Sequence, residues 1–341
     1  MNDRKHFSRY ARQIRFAGVG EAGQEKLRAA HVLIVGIGAL GTVASERLAR
    51  AGVGHLRLVD RDYVDESNLQ RQALFTEDDA REERPKALAA ASHLARINGE
   101  TALEPLAVDL QGLNAEALLC GMDLALDCTD NFETRFILNE ACVKTETPWI
   151  YGGAAGGAGA SMNIVPGGPC LRCLIPLLPA PGSYPSCASE GALNMATALI
   201  GAYQASEALK MIVGAPSLSR RYFSMDLWNN RFAYMEAAPD PACPVCARGE
   251  YELLGKPPRF SCAALCGEDA MQLVPGGDVT LDLAALAEGL KGAGAVRVSP
   301  FLMSFEGPGA AFKLFPDGRA IIKGAADEKA ARAVYAQYVG M

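Results

Sequence analysis

His31-Val-Leu-Ile-Val-Gly36-Ile-Gly38-Ala39-Leu-Gly41-Thr42 decides the fold of this chain. Its opening residues form an unbroken apolar run, rich in β-branched side chains, of the kind a strand buried on both faces shows. Gly36, Gly38 and Gly41 follow at once, and Thr42 to Ala51 reads as a helix. A strand, a glycine turn and a helix in that order let the backbone approach a phosphate or ribose, and the helix N-terminus favours an anion. The next strand, Gly54-His-Leu-Arg-Leu-Val-Asp60, ends on an acid 19 residues beyond Gly41. That is where an acceptor for ribose hydroxyls belongs. These residues predict a nucleotide site and leave NAD, FAD and ATP open.

Outward from this stretch the pattern repeats. Pro85 to Ile97 reads as a helix with Pro85 in its first turn. Leu124–Asp127 reads as a strand, Phe132–Val143 as a helix and Pro148–Tyr151 as a strand. Strands alternating with helices predict an α/β fold: a Rossmann-like sheet, mostly parallel, with helices on both faces. Residues 1–30 suggest one or two amphipathic helices. Beyond Gly152 the texture is glycine-rich, with a strand-like Ala160–Val165, a long helix over 192–213 and one or two strands over 221–237. A composition break at Gly255-Lys-Pro-Pro258 divides the chain. Residues 1–250 are expected to form an ATP-binding domain, and 259–341 a small α/β module. The module should hold strands near 271–274, 296–298, 302–305 and 312–315, a helix near 281–290 and a terminal helix over 326–338. Pro316-Asp-Gly318 is a turn signal between strands.

Composition narrows the function. The chain has 341 residues, half of them hydrophobic, which excludes a disordered class. Its 33 basic and 39 acidic residues give a net charge of −6, which argues against a broad nucleic-acid surface. No apolar run reaches the ~20 residues that cross a bilayer. The polar start MNDRKHFSRY is no secretory signal, so a cytoplasmic protein with no membrane partner is expected. Ten cysteines in such a chain are thiols or metal ligands rather than a disulfide framework.

Two cysteine pairs stand out. Cys170-x-x-Cys173 and Cys243-x-x-Cys246 have the spacing of a closed, structural zinc site with four thiolate ligands. Zinc there would staple the end of the main domain back to its middle. A redox pair is the competing reading. Cys120, Cys128 and Cys142 lie in apolar stretches and read as core. Cys262 and Cys266 form a weaker pair. Cys187, in the loop Tyr184-Pro-Ser-Cys187-Ala-Ser-Glu190, is either a nucleophile or a small inert hydrophobe.

The polar residues decide between the nucleotides. Arg71 lies in Ser67-Asn-Leu-Gln-Arg71-Gln, Lys86 follows Pro85, and Asp130-Asn131 follows the Leu124–Asp127 strand. Two cations and a carboxylate beside an acidic ribose site suit a triphosphate with Mg2+ bound by Asp130. Asp130-Asn131 also fits a helix cap. No Ser/His/Asp constellation is visible, and His6, His31, His55 and His93 are scattered.

Taken together, these stretches resemble the ThiF/MoeB/HesA adenylyltransferases, relatives of the ubiquitin-activating enzymes. The resemblance rests on Arg9-Tyr-Ala-Arg12-Gln13, the Gly36–Gly41 fingerprint, Ala51-Gly-Val-Gly54 and Asp60-Arg-Asp62-Tyr-Val-Asp65. It continues through Ser67–Gln72, Pro85-Lys86, Asp127-Cys-Thr-Asp130-Asn131 and both cysteine pairs, over roughly residues 8–248. Asp130-Asn-Phe-Glu-Thr-Arg-Phe136 and Pro148-Trp-Ile-Tyr-Gly152 are closest to the ThiF branch. Ala39 stands where many members carry glycine, and Glu190 lies three residues after Cys187 where the family's acid often lies two after.

The resemblance implies that MgATP adenylates the C-terminal Gly-Gly carboxylate of a small β-grasp sulfur-carrier protein, ThiS-like or MoaD-like. Pyrophosphate leaves, and a sulfur donor (a cysteine desulfurase or sulfurtransferase) then gives a thiocarboxylate for thiamin thiazole or molybdopterin synthesis. It implies a nucleotide site of Gly36, Gly38, Ala39, Gly41, Asp60, Asp62, Ser67, Asn68, Leu69, Gln70, Arg71, Lys86, Asp130 and Asn131. Asp60 would hold the ribose, and Asn68, Arg71 and Lys86 the phosphates. Arg12 would reach the partner's site in a homodimer, and Cys187 would serve sulfur transfer in some members. A non-catalytic nucleotide-binding scaffold and an NAD- or FAD-dependent oxidoreductase are the alternative readings.

Overall fold

The computed structural model describes residues 3–179, 190–256, 262–264, 270–275 and 279–339. The chain divides into two compact units, Met1–Gly255 and Lys256–Met341.

The first unit opens with helices α1 (Asp3–Ile14) and α2 (Gly20–Ala29). The chain then runs through β1 (His31–Val35), α3 (Gly41–Ala51), β2 (His55–Val59), a short α4 (Glu77–Arg81), α5 (Lys86–Ile97) and β3 (Ala102–Leu106). It continues with α6 (Ala115–Leu119), β4 (Leu124–Asp127), α7 (Phe132–Lys144), β5 (Trp149–Ala155), β6 (Ala158–Ile164), α8 (Leu171–Leu174), α9 (Asn194–Val213), β7 (Arg221–Asp226) and β8 (Arg231–Glu236). One eight-stranded sheet has the order β3-β2-β1-β4-β5-β6-β7-β8. Pairings from β3 through β5 are parallel, and those from β5 through β8 are antiparallel. The mostly parallel Rossmann-like sheet expected from the sequence is therefore present.

Strand periodicity sorts the core onto two faces. Val32, Ile34, Leu56, Leu58, Leu124, Leu126 and Ile150 pack with α3, α5 and α9. Leu33, Val35, Ala125, Trp149 and Tyr151 pack with α6, α7 and the cysteine pairs. Both faces are covered, which is why these strands read as continuous apolar runs.

Cys120 is exposed, not core: α6 ends at the buried Leu119, and Cys120 follows it as the cap residue, turned outward. Pro85 stands one residue before α5, with an extended ψ of 131°, instead of in its first turn. Strand β3 was not anticipated: Glu104 and Pro105 disguise it. Proline is tolerated there because β3 is an edge strand. Glu104 meets His55 at 3.2 Å and Arg57 at 2.9 Å, so His55 has a structural partner.

Among its described residues the second unit holds an antiparallel six-stranded sheet and two helices. Its elements are β9 (Cys262–Ala264), β10 (Ala270–Leu273), α10 (Leu283–Leu290), β11 (Ala295–Val298), β12 (Met303–Gly307), β13 (Ala310–Leu314), β14 (Ala320–Lys323) and α11 (Glu328–Tyr338). Strand order is β11-β12-β13-β14-β10-β9. Phe305, Phe312, Leu314 and Ile322 form its core with Leu290 and Tyr335 from the helices. Among the described residues, no helix is long and apolar enough to cross a membrane.

Candidate active site

The carboxyl ends of β1, β2 and β4 meet where the strand order reverses, between β1 and β4. Open α/β sheets bind ligands at such a point. Gly36 has φ +87°, and a Cβ there would sit 2.7 Å from the Cys128 carbonyl oxygen. A side chain on Gly41 would collide with the Gly36 carbonyl. Only glycine allows this turn between two strand ends. Gly38 differs, since its missing Cβ would meet only the Gln72 side-chain nitrogen, at 3.8 Å. Its face is open.

Asp60, at the end of β2, is built into the turn. Its Oδ2 accepts the Ile37 amide at 2.6 Å and its Oδ1 accepts the Asp62 amide at 2.7 Å. Asp60 is 9% exposed. Burial pushes its carboxyl up to about 6, with nearby Lys86 opposing the rise. Lys86 opens α5. Its amide donates to the Asp62 carbonyl at 2.8 Å, and its Nζ donates to Asp62 Oδ2 at 3.1 Å. Burial alone would lower the Lys86 ammonium, but Asp62 and then Asp60 outweigh it and hold the lysine above its ordinary value. Lysine is therefore charged at neutral pH although it is buried.

The stretch between β2 and α4 covers the fingerprint. Asp65 caps a 3-10 turn over Glu66–Asn68, and Asn68 Oδ1 accepts the Asp65 amide at 3.2 Å. Ser67 and Gln70 are exposed, and Leu69 packs on the core. Arg71 is half-buried and donates to the Ser67 carbonyl at 2.8 Å. Thr42 ties this segment down: its Oγ1 donates to the Gly38 carbonyl at 2.7 Å and accepts the Ala73 amide at 3.1 Å. Ala39 packs against the core beside it.

Asp130 follows β4, is exposed, and acts electrostatically on Lys86, Arg61 and Arg135. The acid and the lysine, far apart in sequence, thus act on one another at the carboxyl ends of the strands, where such a sheet forms its ligand crevice. Asn131 Oδ1 accepts the Thr134 amide at 2.9 Å, so this side chain caps α7.

Two residues escaped the sequence reading as site components. Asp127 and Arg135 form a buried ion pair at 3.3 Å directly beneath the Asp130 segment. Arg135 also donates to the Thr129 carbonyl at 2.6 Å and lies over the Phe132 and Tyr151 rings. Asp127 accepts Thr129 through both its amide and its hydroxyl. The visible signal was the helical spacing from Asn131 to Arg135. Gln72 is a third such residue: buried beside Gly38, its Oε1 has no protein hydrogen-bond partner.

The four knuckle cysteines converge. Their sulfurs lie within 4.8 Å of one another, with Cys170 and Cys243 at 3.6 Å and Cys173 and Cys246 at 3.4 Å. A tetrahedral zinc with bonds of about 2.3 Å needs sulfurs about 3.8 Å apart, so the donor set fits that ion. Residues on either side of a 69-residue gap are joined there.

Arg12 is exposed in the last turn of α1. Its neighbours on that helix, Arg9 and Tyr10, bond the Ile97 carbonyl and Glu100, at the opposite end of α5 from Lys86. The structure therefore does not bring Arg12 to its own chain's crevice. Cys187 and Cys266 lie outside the described residues.

The ThiF family model matches residues 10–245. The chain is 40% identical, over 97% of its length and 99% of the relative's, to the sulfur carrier protein ThiS adenylyltransferase of Bacillus subtilis. It is 37% identical, over 72% of its length and 91% of the relative's, to the SAMP-activating enzyme E1 of Haloferax volcanii. In fold it resembles a crystal structure of Escherichia coli MccB, with a TM-score of 0.63 at 23% identity over 71% of this chain and 74% of that one. With more than half its length matched by the family model, and with relatives this similar, the chain belongs to the ThiF family.

Proposed function

We propose that this chain is an adenylyltransferase that uses MgATP to activate the C-terminal Gly-Gly carboxylate of a small sulfur-carrier protein. The observation that carries the reading is the convergence of Asp60, the Lys86–Asp62 pair and Asp130 around the glycine turn. A hydride-transfer site shares the ribose acid Asp60 but has no use for the charged Lys86 and Asp130 beside it. The alignment with the Bacillus subtilis ThiS adenylyltransferase along almost the whole of both chains supports a ThiS-type carrier.

In this reading Asp60 accepts the ribose hydroxyls, and Asn68, Arg71 and Lys86 face the phosphates. Asp130 holds Mg2+, which when bound supplies charge neutralisation on the phosphates. A carrier carboxylate oxygen attacks the α-phosphorus, the bond to the bridging oxygen breaks, and pyrophosphate leaves with the electron pair. The carrier is itself the nucleophile, so the site needs no general base. Fixed cations aimed at the phosphates lower the barrier without reorganising during the reaction. The terminal sulfur of a donor persulfide then displaces AMP to give an acyl disulfide, and a thiol cleaves its S–S bond, releasing the thiocarboxylate and leaving a disulfide behind. Cys187 serves that second stage. Arg12 serves the neighbouring crevice of a homodimer. Cys170, Cys173, Cys243 and Cys246 hold a structural zinc. Residues 1–250 carry the chemistry, and the smaller unit accompanies it.

Mass spectrometry of a ThiS-like carrier incubated with enzyme and MgATP tests this. An AMP adduct is expected on the intact carrier and none on a carrier lacking its Gly-Gly end. Absence of adduct with both ThiS-like and MoaD-like carriers contradicts it.

A further inference from the structure

Asp79 is a buried carboxylate away from the crevice, with 2% of its side chain exposed. Four donors converge on it. Its Oδ2 accepts the Thr76 amide at 2.9 Å, the Thr76 hydroxyl at 2.8 Å and His93 Nε2 at 2.7 Å. Its Oδ1 accepts Arg84 Nη1 at 2.9 Å. Burial would raise this carboxyl, but the His93 bond and the Thr76 donors hold it below its ordinary value, so it is ionised at neutral pH.

Capping a five-residue helix does not need that arrangement. Thr76 and Asp79 already form a reciprocal capping box at the start of α4. A neutral side chain at 79 would serve the cap without burying a charge. The two remaining partners are placed differently. Arg84 lies two residues before Lys86, and His93 lies two turns after it on the same face of α5. Main-chain bonds continue the connection. The Arg84 amide donates to the Asp79 carbonyl at 3.0 Å, and the Arg84 carbonyl accepts the Val64 amide at 2.8 Å. Tyr63 bridges Pro85. Glu83, in the same turn, has φ +50°, a left-handed conformation for a side chain that does not favour it. Such a residue persists where its surroundings over-determine it.

We propose that Asp79 is a positioning residue: by clamping Arg84 and His93 on either side of Lys86, it fixes the start of α5 so that the lysine faces the nucleotide phosphates. This inference rests on the reading of Lys86 as a phosphate contact. Asp79 is bonded to Thr76, Arg84 and His93 and is not among the residues read as facing the nucleotide. Its effect on ATP must therefore pass through Lys86.

A double-mutant cycle on ATP affinity tests this, read by titration calorimetry on the full chain without carrier. Asp79→Asn is expected to weaken ATP about tenfold in the wild-type background and less than about twofold in a Lys86→Ala background, because the residue it positions is gone. Thr76→Val removes a donor to Asp79 but neither flanking contact, so it is expected to lower Tm while changing ATP affinity less than about twofold. Arg84→Ala and His93→Leu, each removing one clamp, extend the cycle if Asp79→Asn does not fold, with the same non-additivity expected. Equal losses in both backgrounds, or a folded Asp79→Asn with wild-type affinity, overturn the proposal. A Lys86→Ala protein that binds ATP normally overturns the reading of Lys86 and this inference with it, and is distinguishable because it needs no Asp79 variant.

Discussion

Lys86 and Asp62 are joined twice, by a main-chain bond of 2.8 Å and by a side-chain ion pair of 3.1 Å. One link sets where α5 begins, and the other sets where its first side chain points. A flexible, strongly hydrated ammonium on a long stem is thereby held in a buried, charged state next to a second carboxylate, Asp60. Holding a cation in advance of its ligand is how a site stabilises charge that accumulates later.

Lys86→Ala is expected to lower carrier adenylation by about two to three orders of magnitude, the range found when a single preorganised charge-stabilising donor is removed. The fold should persist. Pyrophosphate release against time, with circular dichroism as the control, measures both. Adenylation within about threefold of wild type contradicts the role.

Asp60 should impose an acid limb on ATP binding. Its folded value of about 6 lies above the ordinary 3.8, so ionisation is complete only above that pH. As pH falls through about 6 the carboxyl takes up a proton and loses acceptor capacity for the ribose. ATP affinity of the wild type should then fall by up to about tenfold per pH unit relative to Asp60→Asn. Titration of ATP's own phosphates is common to both proteins and cancels in the ratio. Parallel pH profiles for the two proteins refute the assignment.

Arg135→Met should unfold the protein more easily than the paired substitution Asp127→Asn with Arg135→Met. Removing the arginine alone leaves a fully buried carboxylate without its countercharge, which costs about 3–5 kcal/mol. Removing both charges costs less. Urea unfolding of the three proteins gives the comparison, and equal stability of the single and double variants would remove the ion pair from the account.

Metal analysis should return one zinc per chain, lost on treatment with a strong chelator. Loss of the ion should lower Tm, since it joins two distant segments of the first unit. Cys173→Ser should mimic chelation. A chain that binds no zinc and keeps its Tm after chelation contradicts the four-cysteine zinc reading.

Much of this architecture was legible in the residues. Val32 through Val35 and Leu124 through Leu126 are buried on both sheet faces, so they read as strands without help from periodicity. Gly36 and Gly41 were legible because the close approach of backbone leaves no alternative residue. The cysteine pairs were legible because ligand spacing is local even when the site is not. What escaped depends on tertiary contact. Strand β3 is held by its neighbour β2 and not by its own propensity, with Pro105 next to its last residue. The Asp127–Arg135 pair and the donors around Asp79 join residues whose types are common on any surface. Burial gives them their meaning, and burial is not written in a charged residue. Cys120 shows the converse: an apolar stretch predicted a core thiol, and the helix end turned it outward.

The most direct test of carrier activation is ATP–pyrophosphate exchange with purified ThiS-like and MoaD-like carriers, each with its Gly-Gly end intact or deleted. Exchange is expected with an intact carrier, the ThiS-like one most strongly, and should vanish on deletion of the two glycines. No exchange with any carrier, in a protein that demonstrably binds MgATP, would contradict adenylation of a sulfur-carrier carboxylate as the function of this chain.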